Sequence, residues 1–264
     1  MGNAAADQKL VVSEMAKQYL IILILVLVSG FSSGKASTFT FVNKCDYLVW
    51  PGIQPNSGYP ILANGGLALT PGQSSSLVAP YGWSGRFWAR TGCNFDYAGT
   101  GSCATGDCNG KLLCDGAGGR PPATLIQITL NGDGGNDVYD VSLVDGFNVP
   151  VSVFPSGGYG SCGSPMCSTD MNKICPRELQ VRNGTQVVAC KSACLAFGSP
   201  RFCCTGAYSS ICGPSNYSRL FKKVCPKAYS YAQDHRSTFY SCKQTTIYTI
   251  AFCPSESDAA YYNL

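Results

Sequence analysis

Apolar and polar residues alternate over short stretches along most of the chain. The first stretch runs from Thr38 to Trp50, where Phe39 and Phe41 are separated by threonine. Similar stretches recur at 67–70, 75–78, 124–130, 138–144, 149–154 and 245–252. A period of two is typical of half-buried β-strands, and Gly-containing turn dipeptides separate the stretches. Many short strands without helices between them predict an antiparallel sandwich or barrel.

Two cysteine-rich stretches interrupt this pattern. Residues 93–114 are rich in glycine, poor in apolar residues and contain four cysteines, which predicts a loop module held by disulfides. Residues 169–225 contain seven more cysteines. Within them, Thr185–Phe197 has the periodicity of a short helix that turns Val187, Val188, Ala193 and Cys194 inward.

The sixteen cysteines are even in number and far above ordinary usage. Such a count favours a disulfide framework and an oxidising compartment. The rival interpretation, a zinc site, needs closely paired Cys or His ligands. No two cysteines stand three residues apart and the chain has one histidine, so we expect no metal and no cofactor. Spacing alone leaves the pairing open, since sixteen cysteines allow about two million connectivities.

The N-terminal segment has the features of a secretory signal peptide. Lys9 and Lys17 precede the nine-residue apolar run Leu20–Val28. At ~1.5 Å per residue this run covers about 14 Å, well short of the ~30 Å hydrocarbon core of a bilayer. We therefore predict a signal peptide over 1–36, cleaved after Ala36, with Met15 as an alternative start. The expected product is soluble and extracellular, with the vacuole as the alternative location.

Charge and surface motifs narrow the expected partners. The formal net charge of +4 is spread along the chain, which gives no support for nucleic-acid binding. Asn183 and Asn216 begin N-x-S/T sequons, the glycosylation signal of a secreted chain. We expect a monomer.

Five sequence motifs resemble the thaumatin-like protein family of plants, including the pathogenesis-related and osmotin-type proteins. The longest, GTGSCATGDCNGKLLC at 99–114, fits the family signature throughout. The others are FWARTGC at 87–93, GRPP at 119–122, YDVSLVDGFNVP at 139–150 and CPKAYSY at 225–231. The resemblance covers 38–254 and all sixteen cysteines. Asp107, inside the signature, is expected to cap its tight loop.

The resemblance implies a fold and a disulfide pairing. The fold is mainly β, a flattened antiparallel β-sandwich core with a disulfide-rich helical lobe and a small disulfide-rich loop lobe. The implied domain is 37–253, with the core at 37–90, 127–168 and 226–253, the small lobe at 91–126, the helical lobe at 169–225 and a tail at 254–264. The implied pairs are Cys45–Cys253, Cys93–Cys103, Cys108–Cys114, Cys162–Cys242, Cys167–Cys225, Cys175–Cys190, Cys194–Cys203 and Cys204–Cys212.

The resemblance also implies an acidic cleft lined by one arginine, one glutamate and three aspartates. Matched by motif, these positions are Arg90, Gln127, Asp140, Asp145 and Asp234. Gln127 departs from the family because it replaces the glutamate. The structural alternative for single residues is that Asp145 shapes an Asp-Gly turn or that Asp140 pairs with Arg90 for stability.

The expected function is a secreted antifungal defence protein that binds β-1,3-glucan of the fungal cell wall in this cleft. A glycosidase generally needs one protonated and one ionised carboxyl, and glutamine cannot donate a proton. Glu178 and Glu256 are the only glutamates after residue 36, and neither is an obvious substitute. The alternatives are a weak endo-β-1,3-glucanase with Asp140, Asp145 and Asp234 as candidate catalytic acids, or an osmotin-like protein that permeabilises fungal membranes or acts on their receptors.

Overall fold

The computed structural model describes residues 36–234, 240–255 and 258, all within one compact unit. The predicted signal peptide, apart from Ala36, lies outside the described residues, as does most of the predicted tail, including Glu256. No helix in the described part of the chain is long and apolar enough to cross a membrane.

The described residues form two five-stranded sheets and two small hairpins. The first sheet has the order β10-β9-β14-β1-β3 and the second β13-β8-β7-β4-β2. Pairing is antiparallel except between β1 and β14. The mainly β sandwich is confirmed. The strands are β1 Ser37–Asn43, β2 Trp50–Pro55, β3 Ser74–Ala79, β4 Ser84–Arg90, β5 Asn94–Phe95, β6 Gly101–Ser102, β7 Leu125–Thr129, β8 Asp137–Ser142, β9 Val151–Ser156, β10 Met166–Cys167, β11 Gln180–Asn183, β12 Gln186–Cys190, β13 Tyr240–Cys242 and β14 Ile247–Phe252.

The core lies between the inner faces of the two large sheets. Phe39 and Phe41 on β1 are fully buried and meet the ring of Phe87 on β4 edge-on, at centroid distances of 4.9 and 5.1 Å. The ring of Trp83 stacks on Phe87 at 5.4 Å. The period-two pattern of β1 thus becomes one buried aromatic layer, which fixes which face of β4 points outward.

Three local predictions need correction. The first strand ends at Asn43, because the Asn43 amide donates to the carbonyls of Tyr47 and Leu69 and turns the chain toward β2. Residues 67–70 make only an isolated bridge at Leu69. Strand β4 was not predicted at all. Both of its faces are largely covered, so its sequence does not alternate.

The helix predicted over Thr185–Phe197 is wrong in its first half. Residues Gln186–Cys190 form β12, which pairs with β11 in a hairpin. A helix begins only after Ser192, whose hydroxyl accepts the N–H of Leu195. The β-branched pair Val187–Val188 suits a strand, and the hairpin partner decides the outcome.

The helical lobe contains three short α-helices, α1 Ala193–Phe197, α2 Pro200–Cys203 and α3 Asn216–Val224. Ser215 and Ser218 cap α3 reciprocally. Single 3-10 turns lie at Ala63–Gly65, Asp133–Gly135, Met171–Ile174, Arg177–Leu179 and Gly206–Tyr208.

Disulfides tie the lobes to the sandwich. The structure pairs all sixteen cysteines, and its eight pairs are the same as those implied by the family resemblance. Cys45–Cys253 joins the ends of β1 and β14 across a separation of 208 residues. Cys93–Cys103 and Cys108–Cys114 close the loop lobe, which covers part of the outer face of the second sheet.

Candidate functional site

A row of polar side chains crosses three neighbouring strands on the outer face of the second sheet. The register sets Arg86 of β4 opposite Gln127 of β7, and Gln127 opposite Asp140 of β8. Their inward neighbours on the same strands, such as Phe87 and Ile126, belong to the core. Because side chains alternate along a strand, the three polar groups point to the same, outward side. We call the cleft along this row the sheet groove; its volume is about 190 Å³ and it also includes Asn56 and Thr129.

The loop lobe sets one edge of the sheet groove. Trp88 and Leu125 lie two residues beyond Arg86 and Gln127 on the same face, and both are buried with the Cys108–Cys114 disulfide. The indole nitrogen of Trp88 donates to the carbonyl of Gly106 at 2.8 Å. The sheet face is therefore covered up to Trp88 and opens at the next row, where Arg86 lies.

Asp140 and Gln127 form the centre of the row. The Nε2 of Gln127 donates to Oδ1 of Asp140 at 3.3 Å. Burial raises the pKa of Asp140 from 3.8 to about 7. Near neutral pH this carboxyl is therefore present in both protonation states, and can donate as well as accept a hydrogen bond.

Asp145 follows β8 and interacts electrostatically with Arg86. Burial raises the pKa of Asp145, and the positive charge of Arg86 acts in the opposite direction. Asp145 also lies in the Asp-Gly turn predicted as its structural role, since the N–H of Gly146 donates to Leu143. Its backbone carbonyl accepts from Ala123. Asp145 thus shapes this turn while remaining within electrostatic range of the row.

The placement of Arg90 in the cleft is wrong. Arg90 is fully buried under the loop lobe. Its guanidinium donates to the carbonyls of Trp50, Lys111 and Leu112 at 3.0, 2.8 and 2.8 Å. Burial lowers its pKa to about 10, while the nearby Asp107 charge acts in the opposite direction. Arg90 therefore joins the loop lobe to the sheet through these hydrogen bonds. Arg86, four residues earlier on the same face, is the arginine that lines the sheet groove.

Sequence reasoning missed Arg86, although the chain carries a signal for it. The loop lobe begins directly after Arg90, so the arginine next to that junction is the one expected to be covered. The alternative of an Asp140–Arg90 ion pair is also wrong, since Asp140 contacts Gln127 and Arg90 binds backbone carbonyls.

Asp234 is held in a structural network and does not line the sheet groove. Its Oδ2 accepts from the N–H and the hydroxyl of Ser230 at 2.9 and 2.8 Å. The same oxygen lies 3.1 Å from Nζ of Lys222, and the Asp234 side chain is 8% exposed. A carboxylate with these three partners is a poor candidate for catalysis.

Other polar residues singled out by sequence have structural partners. Asp107 caps its loop as predicted, accepting the N–H groups of Cys103 and Gly110. The pKa of the exposed Glu178 carboxyl is lowered, first by a hydrogen bond from its own backbone N–H and second by the hydroxyl of Tyr217, which donates to it. Asn183 is exposed at the end of the β11–β12 hairpin, and Asn216 is the first residue of α3.

Within 36–234, 240–255 and 258, no three His, Cys, Asp or Glu side chains are grouped in a way that could hold a metal ion. The cysteines are all in disulfides, Asp140 is hydrogen-bonded to an amide, and Asp145 lies within electrostatic range of a guanidinium. These groups can make hydrogen bonds to hydroxyls in several directions, which is the chemistry that recognises sugars.

Fold and site together define a class: a disulfide-stabilised β-sandwich with a loop lobe, a helical lobe and a polar groove on one sheet. A family model described as the thaumatin family matches residues 43–254. The chain belongs to the thaumatin family.

Curated relatives share about half of their residues with this chain. Pathogenesis-related thaumatin-like protein 3.5 of Cryptomeria japonica is 50% identical over 91% of this chain and all of its own length. A thaumatin-like protein of Arabidopsis thaliana is 53% identical over 84% of this chain and 92% of its own. A protein of Prunus avium named glucan endo-1,3-beta-glucosidase is 45% identical over 91% of this chain and all of its own length.

Solved structures share the fold at low identity. A laminaripentaose-producing β-1,3-glucanase, solved in complex with laminaritetraose, has a TM-score of 0.57 at 11% identity. The alignment covers 83% of this chain and 99% of that one. This likeness concerns the fold alone.

Proposed function

We propose that this protein is a secreted plant defence protein that binds β-1,3-glucan of fungal cell walls in the sheet groove. The observation that carries the proposal is the row of Arg86, Gln127 and Asp140 in register across three strands. Two named relatives support the biological setting, one called pathogenesis-related and one called a glucan endo-1,3-beta-glucosidase.

The row offers complementary hydrogen bonds to a sugar chain. Arg86 supplies donors only, Gln127 supplies both a donor and an acceptor, and Asp140 can do either because its pKa is about 7. All three side chains project from rigid strands, so little backbone conformational freedom is lost on binding. A neutral polymer of hydroxyl groups suits this set better than an anion, because the sheet groove contains the carboxyl of Asp140 as well as Arg86, and Asp145 lies within electrostatic range of that arginine.

The same row argues for binding without efficient cleavage. A glycosidase keeps two carboxyls with pKa values pushed apart, one as acid and one as base or nucleophile. Here burial raises the pKa of both Asp140 and Asp145, and an amide stands at Gln127. Asp234, the remaining candidate acid, is held by Lys222 and Ser230.

Titration with soluble laminarin tests the proposal. Arg86→Ala/Asp140→Ala removes both ends of the row and should weaken binding at least tenfold, while Asp46→Ala, an exposed acid outside the groove, should bind as the wild type does. Equal affinity of the groove variant and the wild type would refute the binding site.

Weak β-1,3-glucanase activity is the second candidate, favoured by two observations. The Prunus avium relative carries that name, and Asp140 holds a proton near neutral pH, as a general acid must. Burial raises the pKa of Asp145 as well, but the charge of Arg86 acts against this rise. If the protein is a glucanase, the wild type releases reducing sugar from laminarin and Asp140→Asn does not. If the protein only binds glucan, neither protein releases sugar.

We also propose the processing and domain limits implied by the sequence: removal of 1–36, a thaumatin-like domain over 37–253 and a tail from 254. N-terminal sequencing of the secreted protein tests the first limit. A mature chain that begins at Ser37 supports it, and one that retains Leu20–Val28 contradicts it.

A further inference from the structure

A second and larger pocket lies where β2 begins and β4 ends. Its volume is about 550 Å³, within the range usual for ligand sites. Its walls come from five places: the turn before β2, the loop lobe, the loop at Asn148, the start of the 3-10 turn Met171–Ile174 and the β11–β12 hairpin. It shares no lining residue with the sheet groove. Four residues of β4 separate Arg86 from the end of the strand, a distance of about 13 Å.

We propose that this pocket, here called the lobe pocket, is a second binding site for a neutral oligosaccharide. The lining combines aromatic rings, side-chain amides and a single carboxylate, which is the composition that binds the two faces and the hydroxyl edge of a sugar. The residues that carry this inference are Tyr47, Trp50, Asp170, Asn172 and Gln186.

The aromatic side of the lobe pocket consists of Tyr47 and Trp50. Trp50 lies partly exposed at the start of β2, and its carbonyl accepts the Nε of Arg90. Phe95 of the loop lobe meets the Trp50 ring edge-on at a centroid distance of 6.2 Å. Tyr47 is 42% exposed. The Trp50 ring is thus packed against the loop lobe, and Trp50 and Tyr47 both offer ring faces on which sugar C–H groups can pack.

The polar wall contains an acceptor that the fold leaves unused. The Nδ2 of Asn172 donates to the carbonyls of Asn148 and Val188 at 3.0 and 3.4 Å, which fixes the orientation of its amide. Among the described residues, the buried Oδ1 of Asn172 has no hydrogen-bond partner. A buried acceptor of this kind costs free energy as long as no donor reaches it.

Charge selects a neutral ligand. The described residues that line the lobe pocket include one carboxylate, Asp170, and no lysine or arginine. Asp170 lies close enough to Tyr47 that its charge adds to the effect of burial in raising the pKa of Tyr47 to about 12. A phosphate or uronic acid would meet this carboxylate without a cation to offset it.

Two sources can supply the oligosaccharide. One is a glycan of another molecule, such as a wall polymer. The other is a glycan attached to the chain itself, since the sequon residue Asn183 is part of the pocket lining. Thr185→Ala removes this sequon and so separates the two sources.

Tryptophan fluorescence gives a local readout, because Trp83 and Trp88 are fully buried and Trp50 is the remaining tryptophan. The test uses Thr185→Ala protein that also carries the groove substitutions Arg86→Ala/Asp140→Ala. Hexasaccharides of β-1,3-glucose, β-1,4-xylose and β-1,4-N-acetylglucosamine are the probes. At least one is expected to protect Trp50 from acrylamide quenching with a Kd below 1 mM, which is about −4 kcal/mol of binding free energy.

A matched pair of tyrosine variants localises the site. Tyr47→Ala should weaken the binding at least tenfold, and Tyr159→Ala, at a more exposed tyrosine outside the lobe pocket, should not. The same titration is repeated with protein that retains Thr185 and carries a glycan on Asn183. If this protein binds the added oligosaccharide more weakly than Thr185→Ala does, the chain's own glycan occupies the lobe pocket; if the two bind it equally, the pocket takes an external glycan. Failure of all three probes, or full binding by Tyr47→Ala, overturns the proposal. Because the sheet groove is already disabled, this outcome is independent of the proposed function.

Discussion

Two arginines four residues apart on β4 have different roles because the loop lobe covers one of them and not the other. Both point to the outer face of the second sheet, but Arg90 lies under the loop lobe while Arg86 lies beyond its edge. The motif identified an arginine of the right strand, and only the packing of residues 106–112 over that strand decides which one a ligand can reach.

Arg90→Ala should lower the free energy of unfolding by about 3–5 kcal/mol, because three carbonyls lose a charged donor. Arg86→Ala should change it by less than about 1 kcal/mol, as expected for a partly exposed side chain. Urea denaturation of both variants gives the two values. Similar losses would contradict the distinct roles assigned to them.

The raised pKa of Asp140 predicts a pH dependence of stability. The folded protein holds this proton more tightly than the unfolded chain, so the contribution of Asp140 is favourable below about pH 4 and is lost as the pH rises toward about 7. Asp140→Asn keeps a neutral side chain throughout. It should therefore be more stable than the wild type at pH 8, by about 2–4 kcal/mol, and nearly equal at pH 3.5. Denaturation at both pH values measures the difference; a constant difference would contradict the shift.

At the scale of elements, an alternating pattern predicts a strand most directly where one face is open. Strand β1 follows its pattern residue by residue, whereas β4 is buried on both faces and carries no pattern. The sequence predicts a helix where the hairpin strand β12 lies, because the apolar positions of so short a stretch fit either period until its partner β11 is known. The groove could not be derived from one strand, since it depends on the register of three.

Gly52→Ala tests how the loop lobe is seated on the sheet. The indole of Trp88 lies against Gly52 and Gly119, and a Cβ at Gly52 would overlap Cε2 of the indole. The fully buried ring must move, which should cost about 1–3 kcal/mol of stability and shift the fluorescence of Trp88. Gly213→Ala is the control, since its Cβ meets nothing within 4 Å. An unperturbed Gly52→Ala variant would contradict this packing.

At the scale of the whole molecule, the disulfides fix the arrangement of sheets and lobes. Composition predicts the framework, but the pairing follows from the family motifs, because spacing leaves about two million alternatives. Cys45–Cys253 closes the longest loop, and it does so beside the parallel pair β1–β14 that joins the two ends of the domain.

The long loop predicts a large effect of one disulfide. On the chain-entropy account, Cys45→Ser/Cys253→Ser should lower the free energy of unfolding by about 5 kcal/mol, and Cys108→Ser/Cys114→Ser by about half as much. Thermal and urea denaturation of the two double variants compares them. A larger loss for the shorter loop would show that local packing, not loop length, dominates.

In the function that we propose, the sheet groove holds β-1,3-glucan and does not cut it efficiently, because Gln127 stands beside Asp140 where a second carboxyl would be needed. The most direct measurement incubates the wild type and Gln127→Glu with insoluble β-1,3-glucan, and records both the protein retained and the reducing sugar released. We expect the glucan to retain both proteins, and Gln127→Glu to release more sugar than the wild type. Rapid sugar release by the wild type, or no retention of it, would refute binding without efficient cleavage.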